Sequence, residues 1–343
     1  MIDKNTLRAI ATGSSILATG GGGSIKAATN IIEKMDCDKC NMIKLDDMDQ
    51  SEYIFTVFAV GSVNNEDNID SYLENIIKAK NKLETLLNIK FSAIIPVEIG
   101  PCSLVETFYL ASLMKLAVVD ADIVGGRCSP EIFIETLSLK NIDRSPVVIV
   151  GKNCIIDIIF EKDVYKLEKN IRDISDKFGD YVYVVGYPMK IGDVKDILTK
   201  DTVSLSMKLG NITNLSKILE LLSAREIFCG KIQNVDKNNA NGFLQGTVFV
   251  AGSGMYENKS AEIFFKNENL IAWIDKCVTA TCPDSISVID SNLNGVYNRD
   301  ITDGMEVSII AIPAIGLWKT ENGLKIFNPR KFGFNIDYIP INI

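Results

Sequence analysis

Hydrophobic and polar residues alternate in two different ways along the chain, and the pattern changes near residue 225. Before that point, stretches with the helical period of about 3.6 residues alternate with short, continuous apolar runs such as YIFTVFAV at 53–60. Continuous apolar runs are typical of strands that are buried on both faces of a parallel sheet. The alternation therefore predicts a layered α/β domain with a largely parallel sheet.

The same pattern sets the expected bounds of the helices and strands in this first part. Helices are predicted over 6–17, 25–35, 69–87, 103–116, 129–139 and 161–178. Strands are predicted over 53–60, 93–97, 117–121, 147–150, 154–160 and 181–185. Two helix starts rest on capping signals, because Ser103 and Glu106 have capping-box spacing and Ser129-Pro130 places proline at a first helical position.

Beyond residue 225 the apolar runs are shorter and turn residues separate them. Strands are predicted over 227–235, 242–250, 261–265, 270–274, 285–289, 305–310 and 324–327, with Asn-Gly turn signals at 241–242, 294–295 and 322–323. We therefore predict an α/β domain over residues 1–222, with a three-layer, largely parallel sheet that carries the site. A β-rich barrel or sandwich is predicted over residues 223–343, joined to the first domain by the helical stretch 192–222.

Composition and charge narrow the expected partners and location. The chain has 343 residues, of which 47% are hydrophobic and 23% charged, a balance typical of a globular protein. Because 44 acidic residues exceed 36 basic ones, the net charge is −8, and neither nucleic acid nor an anionic membrane is an expected partner. The apolar runs are too short to span a membrane and the N-terminus has no signal-peptide pattern, so we expect a cytoplasmic protein.

The chain contains no histidine. This absence excludes Ser-His-Asp and Cys-His nucleophiles, imidazole acid–base catalysis and histidine-ligated metals. The chemistry must therefore use carboxylates, Lys, Arg, Tyr, Cys, hydroxyls, backbone amides or a cofactor. Cys37 and Cys40 have CxxC spacing, but without a second pair the spacing does not favour a zinc site.

A run of glycines separates the first two predicted helices: Gly20, Gly21, Gly22 and Gly23, followed by Ser24. Bare backbone amides that lead into a helix N-terminus can cradle an anion or an oxyanion. The run is neither a Walker A loop, since no Gly-Lys-Ser/Thr follows, nor a dinucleotide fingerprint, since a helix precedes it. The alternative is a tight connector whose glycines let the helices pack closely.

Two carboxylates lie at the end of the strand predicted over 117–121. Asp120 and Asp122 are two positions apart, so an extended backbone places both on one face, at the edge where α/β sheets bind ligands. Such a pair could hold a divalent cation or divide into a proton donor and a proton acceptor. Arg127, a few residues further on, could orient a carboxylate substrate. The alternative is a strand-end turn whose carboxylates cap local amides.

A third candidate follows the strand predicted over 93–97. Glu98 has the position expected of a general base, and Cys102 lies near a helix N-terminus, where a thiolate would be favoured. Ser103 belongs to the same segment. Ordinary loop polarity with a buried cysteine explains the segment equally well.

Several segments repeat, in order and spacing, the motifs of a known family. They are the glycine run, VEIG at 97–100, VDAD…GR at 119–127, KNENL at 266–270, PDSI at 283–286, GLWKT at 316–320 and PRKFGFNIDY at 329–338. Together they resemble the S-methyl thiohydantoin desulfurase family over nearly the whole chain. The resemblance implies an α/β domain followed by a β-rich domain, and a role near hydantoinase and oxoprolinase enzymes. It also implies site residues, namely Gly20 to Gly23, Glu98, Asp120, Asp122, Arg127 and Glu131.

We therefore expect an enzyme that adds water at a C=N, C–S or amide carbon of a hydantoin-like or thiohydantoin-like ring, as a hydrolase or desulfurase. Glu98 or an aspartate would activate water, and the glycine amides or Arg127 would stabilise the developing charge. Gly20 to Gly23, Ser24, Cys102, Ser103 and Glu131 would bind the substrate. A divalent metal is an alternative water activator whose ligands the sequence does not identify.

A second interpretation comes from a different class of protein. Ser24, Ser103 and Ser138 stand where the family usually has other residues. The chain would then be a non-catalytic binding or accessory subunit of a hydantoinase-type or oxoprolinase-like enzyme. Both interpretations leave the oligomeric state open.

Overall fold

Two β-sheets organise the protein, one in each half of the chain. The computed structural model describes residues 2–36, 40–61, 69–179, 181–240 and 242–341. The helices are α1 (Lys4–Leu17), α2 (Ile25–Lys34), α3 (Leu73–Leu87), α4 (Pro101–Met114), α5 (Val164–Phe178), α6 (Ile191–Val194), α7 (Thr202–Leu209), α8 (Leu215–Leu222) and α9 (Glu321–Ile326). None of the helices in this part of the chain is long and apolar enough to cross a membrane.

The first sheet is mixed. Its strands are β1 (Asn41–Lys44), β2 (Tyr53–Val60), β3 (Phe91–Ile94), β4 (Ala117–Asp122), β5 (Val147–Gly151), β6 (Cys154–Ile159), β7 (Val182–Lys190) and β8 (Thr199–Lys200). The order is β1-β4-β3-β2-β7-β5-β6, with β8 beside β4. Strands β1, β4, β3 and β2 run parallel, as predicted, whereas β5, β6, β7 and β8 pair antiparallel.

Helices cover both faces of this sheet, which confirms the predicted α/β layering. Val148 and Val150 of β5 pack in the core that contains α1, α2, α3 and α4. Val147 and Ile149 point the other way, into the core that contains α5 and α6. Successive strand residues face opposite sides, so a strand buried on both faces is apolar at every position.

The second sheet is entirely antiparallel. Its strands are β9 (Arg225–Ala240), β10 (Phe243–Gly252), β11 (Ser260–Lys266), β12 (Glu268–Ile274), β13 (Cys277–Thr281), β14 (Ser285–Asp290) and β15 (Glu306–Ile312). The order is β13-β12-β11-β10-β9-β15-β14. The edge strand β14 lies against β12 and β13, so the sheet curls into a half-barrel. The predicted β-rich class is thus confirmed.

Three predicted elements are wrong, each for a local reason. The segment 129–139 is not an α-helix: only a 3-10 helix forms, over Thr136–Lys140, because carboxylates elsewhere in the fold take its backbone amides. Ser129 N donates to Glu98 (3.3 Å) and Ile132 N donates to Glu168 (3.0 Å). The strand and turn predicted at 322–327 form α9 instead, since Thr320 caps that helix through Gly323 N (3.0 Å).

The capping box predicted at Ser103 is the third error. Helix α4 begins at Pro101, after Gly100, so Ser103 lies inside the first turn. Its hydroxyl donates to Gly100 O (3.3 Å) and caps nothing. The helix therefore begins two residues earlier than predicted, closer to Glu98.

The two domains meet at the glycine run. Asn269 N at β12 donates to Thr19 O (2.7 Å), and Asn298 N donates to Gly20 O (2.9 Å). A Cβ atom on Gly21 would overlap Oε1 of Glu268. Gly22 has a φ of +68°, and a Cβ atom there would lie 2.5 Å from Cα of Gly100. The glycines therefore permit close packing against the start of α4, as the connector interpretation predicts, and also against the second domain, which it does not.

Two large side chains cross the same seam. The Trp318 indole donates from Nε1 to Val124 O (2.6 Å). The buried Arg127 guanidinium donates to Pro283 O (2.7 Å) and lies 4.8 Å from the centre of the Phe327 ring. The loop after β4 is thus fastened to the second domain.

The seam predicts different outcomes for alanine substitutions at Gly20 and at Gly316. Gly20→Ala places a side chain on a residue whose φ is +89° and against the buried Asn298, and should lower the free energy of unfolding by about 1–3 kcal/mol. Gly316→Ala is the matched control, because no atom lies within 4 Å of its added methyl group. Chemical denaturation of both variants provides the measurement. Equal stability of the two would contradict the close approach and the strained backbone at Gly20.

Candidate functional site

A cleft of about 1060 Å³ lies between the two domains. The first domain contributes the glycine run, the Glu98 turn, the 129–135 segment and one face of α4. The second domain contributes Leu244, Glu268 and Tyr297. Neither domain alone therefore forms the cleft.

Two carboxylates that line the cleft converge with a buried thiol beside it; we call Glu98, Cys128 and Glu268 the acidic centre. One oxygen of each carboxylate and the Cys128 sulfur all lie within 4.8 Å of one another. Cys128 and Glu268 are buried, while Glu98 is partly exposed. Glu98 thus presents the acidic centre to the cleft.

Short backbone contacts position the three groups. Glu98 lies in the turn after β3, where Ile99 N donates to Arg127 O (3.2 Å) and joins this turn to the loop after β4. The same loop carries Cys128, whose thiol donates to Ile99 O (3.3 Å). Glu268 is the first residue of β12 and follows Asn267, whose φ is +56°. Glu98 and Cys128 therefore lie in the loops that follow β3 and β4, and Glu268 begins β12.

Burial controls the electrostatics of the acidic centre. It raises the pKa of Glu98 and the pKa of Cys128, and the pKa of Glu268 rises well above its usual range. The negative charge of Glu98 raises the pKa of Glu268 further. Oε2 of Glu268 has no hydrogen-bond partner among the residues that the structure describes, although the residue is only 4% exposed. The acidic centre is therefore suited to bind protons or a cation.

A second group of acidic side chains lines the wall formed by α4. Cys102 and Glu106 are one helical turn apart, and the Glu106 carboxyl is hydrogen-bonded with Tyr183. Burial raises the pKa of Glu106 to about 7. Burial, followed by the Glu106 charge, also raises the pKa of Cys102. The expected low-pKa thiolate at Cys102 is thus wrong, because desolvation outweighs the helix N-terminus.

The cleft brings together most of the predicted binding residues. Those that line it are Gly21, Gly22, Gly23, Ser24, Glu98, Cys102, Ser103 and Glu131. The Ser24 hydroxyl accepts a hydrogen bond from Ala27 N (3.1 Å) and so caps α2. Glu131 pairs with Lys266 of the second domain. Gly20 lies behind the cleft, packed against Asn298.

Asp120 and Asp122 do not line the cleft. Asp120 accepts a hydrogen bond from Ser204 N (2.9 Å) and another from the Ser204 hydroxyl. The Asp120 carboxylate thereby caps a backbone amide in the first turn of α7. Asp122 accepts hydrogen bonds from the backbone amides of Val124 (2.8 Å), Gly125 (2.7 Å) and Gly126 (2.9 Å). The expectation that they open onto a substrate site is corrected, because both buried carboxylates serve the local turn and helix.

Arg127 is also turned away from the cleft. Its guanidinium donates to the carbonyls of Cys128 (3.0 Å), Pro283 (2.7 Å) and Asp284 (3.2 Å). These contacts bury the guanidinium and use its donors. The expectation that Arg127 binds a substrate carboxylate is therefore wrong, and Arg127 instead joins the two domains.

Sequence reasoning did not single out Cys128, Glu268, Glu106 or Tyr183 as site residues. Glu268 lies in the KNENL motif, so that motif was the one signal that could have identified it. Nothing local distinguishes the other three, since only the fold brings them to the cleft. Of the CxxC pair, Cys37 lies outside the described residues and Cys40 is buried.

A crystal structure of a protein from Chromobacterium violaceum is similar to this chain. The two superpose with a TM-score of 0.85 over 99% of each chain, at 19% sequence identity. At that identity the likeness supports the fold alone. No curated protein sequence matches the chain.

Family models match almost the full length. The S-Me-THD-like N-terminal domain matches residues 5–159 and the S-Me-THD-like C-terminal domain matches residues 161–341. These models meet near residue 160, inside the first sheet, whereas the second sheet begins with β9. The chain belongs to the S-methyl thiohydantoin desulfurase family.

Proposed function

We propose that the protein hydrolyses the C–S bond of an S-alkyl thiohydantoin-like ring, with the acidic centre as its reaction centre. The observation that carries the proposal is the convergence of Glu98, Cys128 and Glu268 at the cleft. Family membership supports the substrate class. The absence of histidine supports carboxylates as the groups that move protons.

The cleft suits a small, flat, partly apolar ring. Pockets for small molecules have volumes of about 300–1,000 Å³ and combine apolar walls with a few polar groups. The apolar wall residues here include Val57, Phe58, Val60, Ile132 and Leu244. A ring against this wall would bring its sulfur-bearing carbon towards Glu98.

Two carboxyls that titrate differently can divide the acid and base roles. Glu98 is partly exposed and accepts a hydrogen bond from Ser129 N (3.3 Å), which stabilises its ionised form. Glu268 is buried beside it with an unpartnered oxygen, which favours its protonated form. We therefore assign Glu98 as the proton acceptor and Glu268 as the proton donor.

The reaction balances without a further reactant. Glu98 accepts a proton from water while the water oxygen bonds to the ring carbon that carries sulfur. The C–S bond then breaks, and Glu268 protonates the departing thiolate. The C=N electron pair moves to the ring nitrogen, which takes a proton from Glu98, and the hydroxyl proton of the intermediate passes to Glu98 as the C=O bond forms. Transfer of that proton from Glu98 to Glu268 restores both carboxyls, so the products are a hydantoin and a thiol. The glycine-run amides remain the predicted donors to the oxygen of the tetrahedral intermediate.

Turnover of S-methyl thiohydantoin is the first test of this proposal. The wild-type protein should release methanethiol, and Glu98→Gln and Glu268→Gln should each lower kcat by about 10²–10⁴-fold. Glu84→Gln removes a buried carboxylate that has no contact with the cleft and should keep wild-type turnover.

Melting curves separate lost chemistry from lost folding in these variants. Absence of thiol release by the wild type, with or without divalent metal, would overturn the proposal. Absence of turnover together with a stoichiometric complex with a hydantoinase-type enzyme would favour the accessory-subunit interpretation instead.

The cleft carboxyls also predict how stability depends on pH. Burial raises the pKa of Glu106 to about 7 from an ordinary 4.5, so between these values the folded protein holds a proton that the unfolded chain releases. The contribution of Glu106 to stability is therefore present below pH 4.5 and is lost as pH rises towards 7. Glu106→Gln should remove this part of the pH dependence, as measured by denaturation at several pH values. An unchanged slope in the variant would contradict a raised pKa at Glu106.

A further inference from the structure

We propose that the acidic centre is a binding site for a divalent cation that accepts thiolate ligands, of the Zn²⁺ class. Zinc in proteins is bound by cysteine sulfur and carboxylate oxygen, at about 2.3 Å and 2.0–2.2 Å. Glu98, Cys128 and Glu268 offer one sulfur and two oxygens, all within 4.8 Å of one another. Small side-chain rotations would bring these three atoms onto a single ion.

The number of ligands matches a reactive site better than a structural one. Structural zinc sites usually have four protein ligands, whereas catalytic sites have three and keep a position for water or substrate. The acidic centre supplies three, and Glu98 faces the cleft. The open position would therefore be reached from the cleft, where the proposed substrate binds.

An independent observation indicates that the Glu268 carboxylate lacks a positively charged partner. Glu268 is only 4% exposed, yet Oε2 finds no hydrogen-bond donor among the described residues. Desolvating a polar atom without a partner costs about 1–3 kcal/mol. A cation bound by the Glu268 carboxylate would remove that cost, and one oxygen of this carboxylate lies within 4.8 Å of the ligand atoms of Glu98 and Cys128.

The local charges also balance. Two carboxylates and a thiolate carry three negative charges, and the ion adds two positive ones. Arg127, whose charge acts on both Cys128 and Glu268, supplies the third. Binding would displace the Cys128 thiol proton, which is now donated to Ile99 O (3.3 Å), so cation uptake should release protons.

This site deepens the proposed function, on which its catalytic role rests, because the ion would hold the attacking water. Each residue offers the ion one atom, so the second oxygen of Glu98 stays available for the proton of that water. With the ion bound, Glu268 is an ionised ligand, so Glu98 would take over its role and pass that proton to the departing thiolate. Binding of the ion itself can be measured without substrate. The two proposals can thus fail separately.

Titration with Co²⁺, a spectroscopic stand-in for Zn²⁺, tests the site directly. The reduced, chelator-treated protein should bind one equivalent and develop a thiolate-to-cobalt charge-transfer band in the near ultraviolet. Cys128→Ser should lose the band, whereas Cys229→Ser, at a thiol outside the cleft, should keep it. Glu268→Gln should weaken binding by at least about tenfold, and Glu84→Gln should not.

Circular dichroism of every variant establishes that it is folded, and Zn²⁺ competition should abolish the cobalt band. Absence of stoichiometric Co²⁺ binding by the wild type, or a band that persists in Cys128→Ser, would overturn the proposal. Co²⁺ binding with this pattern but no turnover of any thiohydantoin would support the cation site and reject the proposed reaction. Turnover by cation-free protein that binds no Co²⁺ would support the proposed reaction and reject the cation site.

Discussion

The close approach of the glycine run to the second domain is the constraint on which the site depends. Gly21 lies where any side chain would overlap Glu268, and Gly22 lies against Gly100 at the start of α4. These contacts bring β12 and the Glu98 turn to the same place, so one carboxylate from each domain can face the other. The conformational entropy that four glycines lose on folding is thus offset by packing that a bulkier residue would prevent.

The consequence is a cleft lined by more acidic than basic side chains, namely Glu33, Glu98, Glu106, Glu131, Glu135, Glu268 and Asp300 against Lys34, Arg172 and Arg299. Arg127 lies close to the acidic centre, but its donors are used by the carbonyl group of Cys128 and, across the seam, by those of Pro283 and Asp284. Burial therefore shifts the pKa values of Glu98, Glu268 and Glu106 upwards. Carboxyls with raised pKa values lower the stability of the folded protein at neutral pH, but they can exchange protons near that pH. Groups with shifted pKa values are common at catalytic sites. In a chain without histidine, shifted carboxyls are the available means of acid–base chemistry near pH 7.

Much of the fold was predictable, because burial on both faces makes strands such as β2 and β5 apolar throughout. The antiparallel pairing of β5, β6, β7 and β8 was not predictable, because the composition of a strand does not depend on its direction. Among the predicted site residues, Glu98 lines the cleft, whereas Asp120 and Asp122 form hydrogen bonds with α7 and with the 124–126 turn. Both aspartates follow the pattern of a ligand-binding strand end, and only tertiary partners reveal the capping role. Cys128 and Glu268 are 140 residues apart along the chain, a pairing that periodicity and spacing do not encode.

A crystal structure of the Glu98→Gln variant with bound S-methyl thiohydantoin tests the central claim most directly. The substitution keeps the shape of the side chain and removes the proton acceptor, so the ring should remain intact. The account predicts the sulfur-bearing carbon beside residue 98, with Glu268 within hydrogen-bond reach of the sulfur, about 3–3.5 Å away. A ring bound away from the acidic centre, for example beside Asp120 and Asp122, would contradict it.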